Sequence, residues 1–173
     1  HLDGVADTAD AWVGGLGNHE RTLEIMKDPR IGSMGVAAMV VILLVKFAAI
    51  VALLQSSADN SALLLSGLVL VPMMARAGII GLMATTAYVR KEGMVSTTQS
   101  AASLRKLLVM AAVLALLAVL LLQGQAGWIL AVWVGVLALY RRALKKRLGG
   151  YTGDTLGAAV EIQETVLLVA LVL

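Results

Sequence analysis

The feature that most constrains this chain is the alternation of long apolar stretches with short, charge-bearing connections. Apolar residues dominate 34–54, 61–87, 107–122, 126–140 and 155–173. A straight helix needs about 20 residues to cross ~30 Å of hydrocarbon. The first two stretches reach that length, whereas 107–122 and 126–140 are shorter and are expected to extend into their flanks. The last contains Glu161 and Glu164, so hydropathy alone marks it least. Only 14% of the residues are charged and 60% are hydrophobic, whereas a soluble domain carries about 25% charged residues. No strand-like alternation or long repeat interrupts the pattern. The expectation is an all-α fold, a polytopic transmembrane helical bundle with about five spanning helices, forming one membrane domain over 1–173. Cysteine is absent, which excludes disulfides and thiolate metal sites.

The connections set the topology. Residues 1–33 contain Arg21, Lys27 and Arg30, while 55–60 contain no Lys or Arg. Segment 88–106 carries Arg90, Lys91, Arg105 and Lys106, the turn at 123–125 carries none, and 141–154 holds Arg141, Arg142, Lys145, Lys146 and Arg147. The positive-inside rule therefore places 1–33, 88–106 and 141–154 on the cytoplasmic side. Every acidic residue except Asp59 falls at or near that face. The basic run at 141–147 reads as an anchor on anionic lipid, with nucleotide-phosphate binding as the sharper alternative. The partner implied is the lipid bilayer, and no nucleic acid is expected. Trp128 and Trp133 fit an interfacial belt on the opposite side, or lipid contact. The chain begins with His1 and shows no signal peptide, and it reads as a fragment or processed product.

Chemistry is concentrated at the two ends. The opening HLDGVADTADAW puts Asp3, Asp7 and Asp10 at spacings of four and three. On a helix these stack within about 60° of arc at ~100° per residue. No Lys or Arg lies in the first ten residues to offset their repulsion. A solvated helix face or a set of N-caps is the ordinary reading, and a hard divalent ion such as Mg²⁺ is the functional one. A second acidic row, Glu20, Glu24 and Asp28, is interleaved with Arg21 and Lys27, and its helix is expected to stop before Pro29. Two acidic helices joined by the turn at Gly14, Gly15 and Gly17 could hold metal for phosphoryl or nucleotidyl transfer.

Lys46 and Arg76 lie inside apolar stretches, where a charge faces a bundle interior or cavity and needs a phosphate or carboxylate partner. Arg76 follows Pro72, where the helix is expected to kink. In LGGYTGDTLG, residues 148–157, the glycines at 149, 150 and 153 give a permissive loop. Thr152 or Asp154 can cap the next helix, whose first N–H groups form a ready phosphate site. Glu161 stands seven residues beyond Asp154 on the same face. A plain helix-to-helix turn explains the glycines equally well.

The runs HLDGVADTADAW, LEIMKDPRIGSMG at 23–35 and GGYTGDTLGAAVE at 149–161, in this order, resemble the cobalamin synthase family of integral membrane enzymes. That family carries out adenosylcobinamide-GDP ribazoletransfer in late B12 assembly. The resemblance implies that a ribose hydroxyl of α-ribazole, or of its 5′-phosphate, attacks the cobinamide-side phosphorus of adenosylcobinamide-GDP and expels GMP, with Mg²⁺ required. It also implies a bacterial cytoplasmic membrane location with the active face in the cytoplasm, and an N-terminus shortened by one or two helices. Carried over by position, Asp3, Asp7, Asp10, Glu24 and Asp28 would bind metal, with Asp7, Asp10 and Asp28 catalytic and Asp28 the base. Arg30, Lys46, Arg76, Gly150, Thr152, Gly153, Asp154 and Glu161 would bind substrate and phosphate, and Gly32 belongs to the second block. Ala11 stands where the signature commonly has Gly, and Glu92-Gly93-Met94-Val95 replaces a usual Glu-Gly-Leu-Gly. The alternatives are a CDP-alcohol phosphotransferase, whose paired Asp motifs serve nearly the same chemistry, and a transporter in which Lys46, Arg76 and Glu161 line a solute or proton path. A homo-oligomer is compatible with the sequence, which does not determine the oligomeric state.

Overall fold

The computed structural model of the chain describes residues 1–56, 61–89 and 104–173. Arg90, Lys91, Asp59 and the Glu92–Val95 segment lie outside the described residues. Helix α1 (Leu2–Gly14) turns into the short α2 (His19–Ile25), and α3 (Ser33–Ser56) follows. Helices α4 (Ser61–Leu65) and α5 (Val71–Thr85) are joined without a break by a π-helical turn over Ser66–Leu70. Helix α6 (Leu104–Leu122) leads through a 3₁₀ turn into α7 (Ala126–Leu148), and α8 (Gly153–Val172) closes the chain.

Among the described residues, four runs are long and apolar enough to cross a membrane: α3, the continuous α4–α5 run Ser61–Thr85, α7 and α8. The fifth expected span is α6, which is apolar over Ala112–Leu122. The two short stretches extend as anticipated, α6 back to Leu104 and α7 forward through the basic run to Leu148. Pro72 lies in the first turn of α5. It has no N–H to return to the preceding turn, and the wider π turn just before it absorbs the misfit. The irregularity expected around Pro72 is a π turn directly before it, within the helical run Ser61–Thr85.

The stretch that hydropathy marked least becomes the centre of the bundle. Sixty-one per cent of the α8 span is buried, against 11% for α3 and α7. Helices α1, α3, α5 and α7 all pack on α8. Its polar side chains are tolerated there because each finds a partner, which a bilayer demands of any polar atom. The Trp133 indole N–H donates to Gln163 Oε1 at 3.0 Å, and Gln163 Nε2 donates to the Ala159 carbonyl at 2.9 Å. Gly78 on α5 makes room for that carboxamide, since a Cβ there would collide with it. Trp133 therefore faces the bundle interior, in contrast to the expected belt or lipid role. Trp128 is exposed, and its indole N–H reaches the Ala170 carbonyl at 3.3 Å.

Two apolar clusters fill the interior. Leu53, Leu70, Met74, Ile129, Leu167 and Leu171 belong to one. Ala11, Met26, Leu144, Leu148, Tyr151 and Leu156 belong to the other, which underlies the end of the bundle where α1, α2 and the α7–α8 turn meet. Among the described residues, those of 1–33, 88–89 and 141–154 come together there. Val89 N–H donates to the Tyr151 carbonyl at 3.1 Å and Tyr151 N–H to the Ala87 carbonyl at 2.9 Å. Arg147 stands over the Trp12 ring at 5.9 Å, and the Arg141 guanidinium donates to the Thr85 carbonyl at 2.8 Å. The basic run is therefore partly structural, leaving Arg142, Lys145 and Lys146 exposed.

Candidate functional site

Helix α1 carries the acidic signature into a tight space between α3 and α8. A Cβ on Gly4 would collide with the Asp154 carbonyl at the start of α8, and one on Gly35 would press on the Ala6 backbone. The glycines thus let three helix backbones approach closely, the usual way helices pack in lipid. Asp3 is exposed on α1, while Asp7 and Asp10 are half-buried.

Asp10 has a defined task. Its Oδ2 accepts the Gly32 N–H at 2.7 Å and its Oδ1 the Gly35 N–H at 2.9 Å. These amides open α3, where unpaired N–H groups and the helix dipole favour a negative group. A Cβ at Gly32 or Gly35 would strike the carboxylate. Asp10 therefore caps α3 from a different helix, a capping role of the kind the ordinary reading allowed for this row.

Helix α2 begins with Asn18, whose side chain accepts the Arg21 N–H at 3.0 Å, and it ends at Ile25. Asp28 lies beyond it, so the row of three acids is broken after Glu24. Glu20 and Glu24 are exposed. Asp28 is clasped by Arg30, through Nε at 2.9 Å, Nη2 at 2.8 Å and the backbone N–H at 3.0 Å. These contacts, the guanidinium hydrogen bond foremost, hold its carboxyl down at about 2, and the same pairing raises the Arg30 guanidinium. A carboxylate so stabilised is a weak base, poorly matched to proton abstraction near neutral pH.

In the glycine motif, each early glycine has a structural reason. Gly149 ends α7 in the left-handed region at φ 68°, and its N–H returns to the Lys145 carbonyl. Gly150 lies against the Ala87 carbonyl, leaving no room for a Cβ. Thr152 caps α8 in a reciprocal box with Thr155. Its hydroxyl also lies 3.8 Å from Met26 Sδ, tying α2 to the start of α8. Gly153 is exposed and has open space around it, and Asp154 is half-buried in the first turn. The acidic helix, the Asp28–Arg30 loop and the start of α8 therefore share one end of the bundle.

Lys46, Arg76 and Glu161 lie deeper and find one another. Lys46 Nζ donates to Glu161 Oε2 at 2.6 Å and to Glu164 Oε2 at 2.9 Å. Arg76 Nη1 donates to Glu164 Oε1 and to the Pro72 carbonyl. His1 Nδ1 stands 3.9 Å from Glu161 Oε1. Glu164 was not among the expected site residues. Its signal was available, since two cations in apolar stretches call for two anions, and Glu164 shares a face with Glu161 at three-residue spacing.

Among the described residues no group of three or more acidic or His side chains converges as a ready-made metal site. Magnesium does not require one: it keeps several waters and binds through one or two carboxylates plus substrate phosphates. Asp3 and Asp7, one turn apart on α1, fit that smaller requirement.

A family model for cobalamin-5-phosphate synthase matches residues 1–172. A protein of Pseudomonas entomophila (strain L48) named adenosylcobinamide-GDP ribazoletransferase is 46% identical over all of this chain and 68% of its own length. Proteins of the same name from Stutzerimonas stutzeri (strain A1501) and Pseudomonas fluorescens (strain Pf0-1) are 45% and 41% identical, over the whole chain and 68% and 69% of their lengths. No solved structure matches the chain.

Proposed function

This chain belongs to the cobalamin-5-phosphate synthase family, and we propose that it performs the reaction for which its relatives are named. In this reading adenosylcobinamide-GDP is the donor and α-ribazole, or its 5′-phosphate, the acceptor. A ribose hydroxyl forms a new O–P bond at the cobinamide-side phosphorus, the bond to the GMP oxygen breaks, and the hydroxyl proton passes to a carboxylate. The observation that carries the reading is the meeting of the acidic α1 helix with the first turn of α8, Gly4 against the Asp154 carbonyl.

Asp3 and Asp7 hold a divalent cation, which when bound offsets charge on the pyrophosphate and on the departing phosphate. Arg30, exposed beside Asp28, presents its remaining N–H groups to the phosphates. Gly153 and Asp154, at the open start of α8, border the same space. The proton acceptor is a carboxylate other than Asp28, whose lowered pKa makes it a poor base. The face is cytoplasmic, as the Lys and Arg distribution favours, and the membrane is the bacterial inner membrane, as the family resemblance implies. A transport path is less well supported, because the membrane-depth charges are gathered at one level and paired.

The test is release of GMP by the full-length protein in lipid nanodiscs. Release should need adenosylcobinamide-GDP, α-ribazole and Mg²⁺ together. Asp7→Asn should lower turnover by about a thousandfold while the protein still inserts and keeps its thermal midpoint. Turnover at the parent rate by that variant would remove Asp7 from the site, and absence of GMP release from the parent would reject the activity.

A further inference from the structure

The site end of the bundle does not account for the charges buried about 12 Å farther along α8, at the 1.5 Å rise of a helix. We propose that Lys46, Arg76, Glu161 and Glu164 are a charge-compensated positioning unit that sets the register of α8 against α3 and α5 and makes no contact with substrate. The unit has two cations and two anions from three helices. Lys46, Glu161 and Glu164 have side chains only 17%, 12% and 15% exposed, while Arg76, at 54%, closes the outer edge of the group on Glu164.

Both carboxylates are engaged by the two cations. Lys46 Nζ engages both carboxylates, Glu164 gives one oxygen to Lys46 and the other to Arg76, and Glu161 gives Oε2 to Lys46. A phosphate arriving at Lys46 would have to take that cation away from Glu161 and Glu164 and leave Glu161, 12% exposed, without it. Leaving one partner of a buried pair uncompensated is strongly destabilising, whereas removing both can be nearly neutral. This asymmetry separates a strut from a ligand-binding cation.

The unit acts through α8. Glu161 lies two turns beyond Asp154 on one continuous helix, and Asp154 packs its carbonyl on Gly4 of the acidic helix. A slip or rotation of α8 at Glu161 therefore moves Asp154 relative to Asp3 and Asp7. The four are positioning residues, so their loss should act on kcat more than on KM.

The experiment rests on the proposed reaction for one readout and is independent of it for the other. In the full-length protein, Lys46→Met leaves Glu161 without its cation, and kcat per folded molecule should fall about tenfold or more, with KM for adenosylcobinamide-GDP unchanged within about threefold. Lys46→Met combined with Glu161→Gln removes one charge of each sign and leaves the Glu164–Arg76 pair. That double variant should regain kcat to within about threefold of the parent. A double variant as slow as the single one, with KM raised, would make Lys46 a phosphate-binding cation and overturn the proposal. So would a single variant with the parent kcat per folded molecule. Thermal midpoints of the same variants give the second readout. Recovery in the double variant supports the unit even if the parent releases no GMP, and additive losses overturn it.

Discussion

Asp10 shows how one carboxylate in an acidic signature can carry a different task from its neighbours. Three Asp at helical spacing read together as a metal-binding face, because spacing carries no record of what each side chain will meet. The fold gives Asp10 a task of its own: it turns to the first N–H groups of α3, which Gly32 and Gly35 leave accessible. Removing it would strand two amides and leave a small void. We expect Asp10→Ala to destabilise the metal-free protein by about 1.5–3 kcal/mol, the range for hydrogen bonds to a charged group. Chemical denaturation in detergent would measure this. An Asp10 serving only as a metal ligand would give the opposite sign, since its loss would relieve repulsion from Asp7. Gly32 was legible as part of a motif, but its reason, a collision with Asp10, lies 22 residues away in sequence.

At the scale of elements, the instructive case is α8. Hydropathy underrates it because Glu161, Gln163 and Glu164 interrupt its apolar run, and the groups that neutralise them belong to α3, α5 and α7. Local composition cannot record a partner on another helix. The helix ends were easier to read, because caps are local: of the two candidates Thr152 and Asp154 the structure takes Thr152 as the cap of α8, and Gly149 of the permissive loop ends α7. The glycines of this turn are expected to differ sharply. Gly150→Ala would drive a methyl into the Ala87 carbonyl and part the backbone hydrogen bonds of Tyr151 with Ala87 and Val89, costing about 1–3 kcal/mol. Amide exchange at Val89 and Tyr151 should accelerate accordingly. Gly153→Ala meets open space and should change stability by no more than about 0.5 kcal/mol. Any loss of turnover in that variant would then report a substrate contact.

For the whole molecule, the alternation of charged and uncharged connections yields an expected topology that does not depend on any contact. The physical reason is that Lys and Arg near helix ends bias orientation independently of how the helices pack. Packing order is a different quantity, and nothing in the hydropathy profile put α8 at the centre. The absence of cysteine makes the orientation directly measurable. Lys146 is exposed near the end of α7, and Gly124 is exposed in the turn before it. The intervening residues span about 33 Å as a helix, enough to cross the hydrocarbon. Lys146→Cys should react with a membrane-impermeant maleimide only in inverted vesicles, and Gly124→Cys only in right-side-out ones. Reaction of both from one side would mean that α7 does not cross the membrane. The reverse pattern would place the acidic helix and the α8 turn outside the cell, away from the nucleotide-linked donor, and the cytoplasmic assignment of the site would fall with it.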